Sequence, residues 1–189
     1  DTFGVFPTSN GIPKNINCTI DGIASLNFSR GIYINQNYRM ENIETTIQNC
    51  STGMSLYGVN AIGGRVQNCT YTGVYLNPNS SLDSCTIEDN TGHGVAVAST
   101  TTNQPKISSC LIRYNGNFGL TGEYSSGAQC QVENSSICSN TPFNIPSNVT
   151  IEDLGGNNFQ YNCDGPSDYN VPNDFADVAS AVNSAYVGD

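Results

Sequence analysis

The sequence predicts an all-β solenoid, a coil of short parallel strands in which each turn stacks on the one before. A segment of the form apolar, polar, Asn or Ser, then Cys or Ser recurs at residues 47–50, 66–69, 82–85, 107–110 and 132–135. The copies begin 19, 16, 25 and 25 residues apart, and such a period is typical of stacked supersecondary units. Each of the first four is followed by Gly, an apolar residue, any residue and usually another apolar residue, at residues 53–56, 73–76, 94–97 and 119–121.

The repeat predicts the local shape of one turn: a strand, a bend at the Asn or Ser, a second strand, a turn near the glycine, and a third strand. Asn49 and Asn68 suit the bend because Asn tolerates left-handed backbone geometry. If successive copies stack, the residues after the bend form one inward-facing vertical column of small apolar side chains. We expect this column to contain Cys50, Cys69, Cys85 and Cys110.

On these residues the chain resembles the right-handed parallel β-helices of the pectin-lyase-like superfamily, over roughly residues 16–163. The resemblance implies a parallel β-helix, and the length of 189 residues fits about six to seven rungs. The resemblance implies little about activity, because the superfamily includes pectate lyases, polygalacturonases, alginate epimerases, phage tailspikes and surface adhesins. Function therefore has to be argued from a site.

Three segments are expected along the chain. Residues 1–15 read as an N-terminal extension rich in turn signals, and residues 16–163 as the β-helix. Residues 164–189 read as a loop followed by a short helix that caps the solenoid, because apolar residues recur there at helical spacing. The apolar positions of that helix are Phe175, Val178, Ala179, Val182 and Tyr186.

Composition narrows the class of partner. The net charge is −10 and only six residues are Lys or Arg, so a nucleic-acid partner is not expected, because phosphate neutralisation needs clustered basic residues. The same charge disfavours polyanionic polysaccharides. The sequence has no run of about 18 apolar residues, so no membrane span is expected. It has one histidine, His93, and no Cys-x-x-Cys pair, so no metal site is expected.

Eight cysteines and seven Asn-x-Ser/Thr sequons predict a secreted or cell-surface protein. The chain begins at Asp1, as a mature, processed protein would. Outside the cysteine column, the disulfide candidates are Cys18, Cys130, Cys138 and Cys163. The sequons at Asn49, Asn68 and Asn134 arise from the bend geometry, but two others lie in proline-containing loops where an acceptor is accessible. The glycosylation candidates are Asn79 and Asn148.

The richest cluster of chemically active residues is Glu88, Asp89 and His93, with Arg113 one copy later. Glu88 and Arg113 have the same offset from Cys85 and Cys110, so we expect them to be stacked neighbours whose ion pair needs no catalytic explanation. The enzymatic alternative is a polysaccharide lyase, epimerase or glycosidase. In it His93 or Tyr114 is the base and Arg113 stabilises charge. No cofactor is expected, except Ca²⁺ under the lyase alternative, where Asp83 and Glu133 join the acids.

The preferred hypothesis is a non-catalytic structural or binding protein. Its strands would present one outward column, in which two tyrosines are suited to stack on a sugar or on another subunit. Such a protein would bind carbohydrate or assemble into a filament through its faces or ends. The residues of this column are Tyr33, Ser55, Tyr75, Ala96 and Thr121.

Overall fold

A computed structural model describes residues 3–5, 19–22, 30–35, 39–40, 45–98, 103–123, 127–160 and 162–163. Within these residues the chain forms strands and turns and no helix. In chain order the strands are β1 (Phe3–Val5), β2 (Thr19–Asp21), β3 (Arg30–Asn35), β4 (Arg39–Met40), β5 (Thr46–Gln48), β6 (Thr52–Tyr57), β7 (Asn60–Ile62), β8 (Arg65–Gln67), β9 (Thr72–Leu76), β10 (Ser81–Asp83), β11 (Thr86–Glu88), β12 (His93–Val97), β13 (Lys106–Ser108), β14 (Leu111–Arg113), β15 (Leu120–Gly122), β16 (Ala128–Glu133), β17 (Ser136–Cys138) and β18 (Val149–Asp153).

These strands form three parallel sheets of six strands each. Sheet 1 contains β1, β3, β6, β9, β12 and β15; sheet 2 contains β4, β7, β10, β13, β16 and β18; sheet 3 contains β2, β5, β8, β11, β14 and β17. From β3 to β17 the chain visits sheets 1, 2 and 3 in turn, and each turn of the coil stacks on the last. The predicted parallel β-helix is confirmed. The strand β1 pairs with β3, so the solenoid includes part of the segment 1–15.

The core is a set of vertical apolar columns inside the coil. Sheet 3 contributes Ile47, Val66, Ile87, Ile112 and Ile137, which are paired in register and almost fully buried. Sheet 2 contributes Ala61, Leu82, Ile107 and Val132. Sheet 1 contributes a column from Ile32 through Met54, Val74 and Val95 to Leu120. Like residues therefore stack on like in neighbouring turns, as a solenoid of alternating strands requires.

The bends use the predicted left-handed backbone. Asn49 and Asn68 have φ of 58° and 54°, and Ser84 and Ser109 have φ of 56° and 53°. Asn, Asp and Ser tolerate this region best because their short polar side chains bond locally. Tyr114 adopts the same geometry, with φ of 54°.

The predicted single column of cysteines is wrong, because the cysteines occupy two different bends. Cys50 and Cys69 follow strands of sheet 3, whereas Cys85 and Cys110 follow strands of sheet 2. The register pairs Val66 with Ile87, not with Leu82. The short step between Cys69 and Cys85 is therefore only part of one turn of the coil. It looks like a repeat because each of the two bends has a residue with left-handed backbone geometry followed by a small residue that faces inward.

Above Cys69 the same column continues as asparagines that the repeat alignment did not reveal. Asn90 Oδ1 accepts from the backbone N–H of Cys69 at 2.9 Å, and Asn115 Oδ1 accepts from that of Asn90 at 3.2 Å. Asn140 Oδ1 accepts from the backbone N–H of Asn115 at 3.1 Å. All three side chains are at most 5% exposed. We call Asn90, Asn115 and Asn140 the asparagine ladder.

One disulfide lies within the described residues, between Cys138 and Cys163, with Cα atoms 5.2 Å apart. Cys130 is a correction to the candidates: it is a buried free thiol. It faces the core from β16, where alternate residues point inward. Cys18 and the expected helix in residues 164–189 lie outside the described residues.

No helix in the part of the chain that the structure describes is long and apolar enough to cross a membrane.

Candidate functional site

The outer face of sheet 1 carries two vertical columns of side chains. The first runs through Tyr33, Ser55, Tyr75, Ala96 and Thr121, which pair in register as the sequence predicts. The second was not predicted. It runs through Arg30, Thr52, Thr72 and His93, which also pair in register.

A cavity of about 260 Å³ lies on this face. It is bordered by three tyrosines, four hydroxyl residues, one cation and one carboxylate. The lining residues are Arg30, Ser51, Thr52, Ser55, Tyr57, Tyr71, Thr72, Tyr75 and Glu123. The volume is slightly below the roughly 300–1,000 Å³ of pockets that bury drug-sized ligands, so the cavity has room for a molecule of about one sugar ring.

The tyrosines form a connected cluster beside the cavity. The ring of Tyr57 lies 5.6 Å from that of Tyr33 and 6.1 Å from that of Tyr75, both in tilted orientations. The guanidinium of Arg30 lies 4.8 Å from the centre of the Tyr33 ring. Tyr71 is 55% exposed. Together these rings supply apolar surface that still carries hydroxyl groups.

Several buried polar atoms in and near sheet 1 have no hydrogen-bond partner in the described structure. Thr72 is 1% exposed, and its Oγ1 has no hydrogen-bond partner in the described structure. Nδ2 of Asn77, which follows β9, also has no hydrogen-bond partner in the described structure, and neither does Nδ1 of His93, which begins β12. Buried polar atoms are partnered in nine cases out of ten or more. Thr72 and His93 are two such exceptions at paired positions of adjacent strands.

His93 is half-buried at the edge of the face. Its ring stacks on Phe118 with centroids 5.5 Å apart, and Phe118 stacks in turn on Phe143 at 6.5 Å. Burial lowers the pKa of His93 below its ordinary value of 6.5, so the imidazole is neutral near pH 7. A neutral imidazole with an unpartnered nitrogen accepts a hydrogen bond or a proton.

The acids and the arginine predicted near His93 lie elsewhere. Glu88 and Arg113 stand on the outer face of sheet 3, stacked in register as expected. Arg113 Nε donates to Glu88 Oε2 at 2.9 Å, and Arg65 Nη1 lies 2.9 Å from Glu88 Oε1. Glu88 is only 3% exposed beneath these two guanidiniums. Its carboxylate is therefore occupied by a structural ion pair.

Asp89 and Tyr114 occupy the bend between sheet 3 and sheet 1, both with φ of 54°. Asp89 is exposed, and the ring of Tyr114 lies 4.9 Å from the guanidinium of Arg113. The structure therefore brings Glu88 and Arg113 together. It also places the ring of Tyr114 beside Arg113, whereas Asp89 is exposed in the bend and His93 stacks on Phe118 instead.

The acids suggested for calcium do not converge. Asp83 and Glu133 stand on sheet 2, and Glu133 Oε2 lies 2.6 Å from Lys106 Nζ. Across the described ranges, no three His, Cys, Asp or Glu side chains are grouped so as to hold a metal ion.

The two glycosylation candidates differ in their surroundings. Asn79 is an exposed turn residue with φ of 59°. Asn148 Nδ2 donates to Thr121 Oγ1 at 3.2 Å and to the Gly122 carbonyl at 2.9 Å. Because a glycan attaches to this nitrogen, Asn79 is the better placed acceptor.

Most of the cavity was not predicted from the sequence, although one signal for it was present. Thr72, His93, Phe118 and Phe143 each follow the residue of the Cys69, Asn90, Asn115 and Asn140 column by three positions. Once these column residues are aligned, the second outward column follows. Arg30 belongs to this second column, whereas Glu123 has no such signal, because it reaches the cavity from a different turn of the coil.

Comparison with known proteins agrees with this architecture. No curated protein sequence matches the chain. Among solved structures, the periplasmic alginate epimerase AlgG superposes with a TM-score of 0.53 and 15% sequence identity. The match covers 67% of this chain and 37% of AlgG, so the chain spans little more than a third of that enzyme, and the likeness shows the fold alone. The family profile described as the right-handed beta helix region matches residues 3–164. The chain therefore belongs to the right-handed β-helix family.

Proposed function

We propose that this protein is an extracellular carbohydrate-binding β-helix that holds a sugar in the cavity on the outer face of sheet 1. The observation that carries the proposal is the lining of that cavity, in which Tyr57, Tyr71 and Tyr75 stand beside hydroxyl groups. A pyranose has apolar C–H faces and a rim of hydroxyls. A pocket for it needs aromatic surface together with a few fixed polar groups.

Charge favours a neutral sugar. The cavity contains one cation, Arg30, and one carboxylate, Glu123, so its formal charge is balanced. The whole chain carries −10, which repels a polyanion at long range. A neutral hexose chain therefore fits this surface better than a polyuronate does.

The disulfide Cys138–Cys163 supports an oxidising compartment outside the cytoplasm. AlgG is described as periplasmic, which agrees with such a location. Filament assembly, the other role that the sequence predicts, stays a prediction.

A polysaccharide-modifying activity is the second candidate, and one observation favours it. His93 lies next to Thr72 in register, and its neutral imidazole has an unpartnered nitrogen. Such a group is suited to accept a proton from a bound sugar. Arg113 and Glu88 do not assist it, because they belong to sheet 3.

The test is calorimetric titration with methyl glycosides of glucose, galactose and mannose, with cellohexaose and mannohexaose, and with hexamannuronate as the acidic comparison. Tyrosine fluorescence is a second readout, since the chain contains no Trp. We expect binding of a neutral sugar that weakens about tenfold or more in Tyr71→Ala and Tyr75→Ala. The control Tyr114→Ala, on another bend, keeps full affinity. Absence of binding to every sugar in the panel would reject the proposal.

Incubation of the same sugars with the wild type, followed by mass spectrometry and proton NMR, tests the second candidate. Shortened, unsaturated or epimerised products that are lost in His93→Phe support an enzyme. Unchanged sugars that nevertheless bind support a binding protein.

A further inference from the structure

The hydroxyl of Thr72 is an exception among the buried polar groups of this protein. Thr72 is 1% exposed and borders the cavity, yet its Oγ1 has no hydrogen-bond partner in the described structure. Its neighbours in the asparagine ladder show the usual situation, in which every buried amide is bonded. A buried hydroxyl left unpaired is costly, so its retention at the cavity wall needs a reason.

We infer that Thr72 is the specificity-determining residue of the cavity, through a hydrogen bond between its Oγ1 and one hydroxyl group of the bound sugar. This inference rests on the proposed carbohydrate binding and adds to it the group on the ligand that is recognised. Sites that pair a buried polar group with a ligand hydroxyl reject analogues that lack the hydroxyl far more strongly than apolar pockets do.

The position of Thr72 suits this role. It begins β9 and pairs in register with Thr52 on one side and His93 on the other. Its backbone is held by the sheet, and its backbone N–H lies 3.3 Å from the Ser51 carbonyl. The hydroxyl therefore stands on a rigid element, which fixes its position better than a loop would.

One further unpartnered atom in the same column supports a ligand on this face. Nδ1 of His93 belongs to the next residue in the same column as Thr72. A polyhydroxylated ligand is the class of molecule that offers several donors and acceptors to such a face. A ligand with a single polar group would leave either Thr72 Oγ1 or His93 Nδ1 unpaired.

The experiment compares Thr72→Val and Thr72→Ser with the wild type. Valine keeps the shape of threonine and removes the hydroxyl, whereas serine keeps the hydroxyl. Each variant is titrated with the tightest-binding methyl glycoside of glucose, galactose or mannose, and with its 2-deoxy, 3-deoxy and 6-deoxy derivatives. The urea midpoint of each variant is measured in parallel without sugar.

We expect Thr72→Val to lose at least tenfold in affinity for the parent sugar while its urea midpoint stays equal to the wild type or rises. One deoxy derivative binds the wild type at least tenfold more weakly than the parent, and Thr72→Val does not discriminate between the two. Thr72→Ser retains affinity within about threefold. The matched control is Thr86→Val on β11 of sheet 3, outside the cavity, which loses less than threefold.

The outcomes separate the inference from the proposed function. If the wild type binds a sugar and Thr72→Val binds it equally well, the inference fails and carbohydrate binding stands. A clear fall in the urea midpoint of Thr72→Val also overturns the inference, because the hydroxyl then has a partner within the protein. If the wild type binds none of the sugars, the proposed function fails and takes the inference with it.

Discussion

Asn115 lies one turn of the coil beyond Asn90, and its Oδ1 accepts hydrogen bonds from both the side chain and the backbone N–H of Asn90, at 2.8 and 3.2 Å. Its own Nδ2 donates to the carbonyls of Ile87 and Arg113 and to Asn140. One fully buried amide thus joins three successive turns at the bend between sheet 3 and sheet 1. The asparagine ladder fixes the edge of the face on which the cavity lies.

Replacing Asn115 with Ala should destabilise the protein by about 2–4 kcal/mol, because the backbone N–H of Asn90 and several carbonyls lose partners while buried. Urea unfolding followed by far-ultraviolet circular dichroism measures the change. The matched control is Asn60→Ala, which removes an exposed bond from Ser81 Oγ and should change stability by less than about 0.5 kcal/mol. Equal effects of the two substitutions would contradict a special role for the ladder.

The fold could be predicted from the sequence because inward and outward side chains must alternate along each strand and stack in register from turn to turn. The outward column from Tyr33 to Thr121 and the ion pair of Glu88 with Arg113 both follow from counting positions. The same counting placed Cys85 in the wrong bend. Two bends of each turn have a residue with left-handed backbone geometry followed by a small residue that faces inward, so their sequences look alike. A local pattern cannot tell which of two equivalent bends it belongs to.

The candidate site was harder to predict for a different reason. Its residues are ordinary in the sequence: Thr72 and Tyr71 belong to a repeat whose polar positions are usually solvent-exposed. What distinguishes Thr72 is burial without a hydrogen-bond partner, and the cavity around it is completed by Arg30 and Glu123 from other turns of the coil. Both depend on tertiary structure, so only coordinates reveal them.

Glu88→Gln should lower the free energy of unfolding by about 1–3 kcal/mol. The substitution removes the negative charge beside the guanidiniums of Arg65 and Arg113, and a neutral amide bonds them more weakly. This loss of stability is smaller than that for a fully buried ion pair, because solvent screens the partly exposed arginines. The side chains of Arg65 and Arg113 are 50% and 28% exposed. Urea unfolding at low and high salt measures it. The control Glu133→Gln breaks a pair whose two side chains are 39% and 35% exposed, and should cost less than about 1 kcal/mol. A larger loss in the control would refute this ranking.

Cys163→Ser opens a disulfide whose cysteines are 25 residues apart. A loop of this length predicts a loss of about 3 kcal/mol in unfolding free energy. Urea unfolding of the variant, compared with the wild type in the presence and absence of reductant, measures it. The variant should be insensitive to reductant, and a wild type equally insensitive would show that the bond is not formed in solution.

The free thiols in the described core should resist alkylation in the folded protein. Burial raises the pKa of Cys69 to about 12 and that of Cys130 further still. At about pH 8 only roughly one Cys69 thiol in 10⁴ is then a thiolate, the reactive form. Iodoacetamide and peptide mass spectrometry should find Cys50, Cys69, Cys85, Cys110 and Cys130 unmodified in native protein and modified in guanidinium chloride. Rapid native labelling of Cys69 would contradict its burial.

The stability of the protein should fall as the pH is lowered through the titration of His93. Its folded-state pKa lies below the ordinary 6.5 because burial disfavours the charged form. The unfolded chain therefore takes up the proton first, so the contribution of His93 is fully present above about pH 7 and is lost as pH falls toward the folded pKa. Carboxylates such as Asp21, whose pKa is lowered by bonds from Asn49 and Gln48, act only at more acidic pH.

Because His93 is the single histidine, proton NMR can follow its titration without assignment of other imidazoles. Urea midpoints at about pH 7.5 and 5.5 should differ more in the wild type than in His93→Phe, which keeps the ring stacked on Phe118 and removes the titrating nitrogens. His93→Gln, which removes both the stack and the titration, separates the loss of packing from the loss of the proton site. An NMR midpoint above 6.5 would reverse the sign of the prediction, because stability would then be gained rather than lost on acidification.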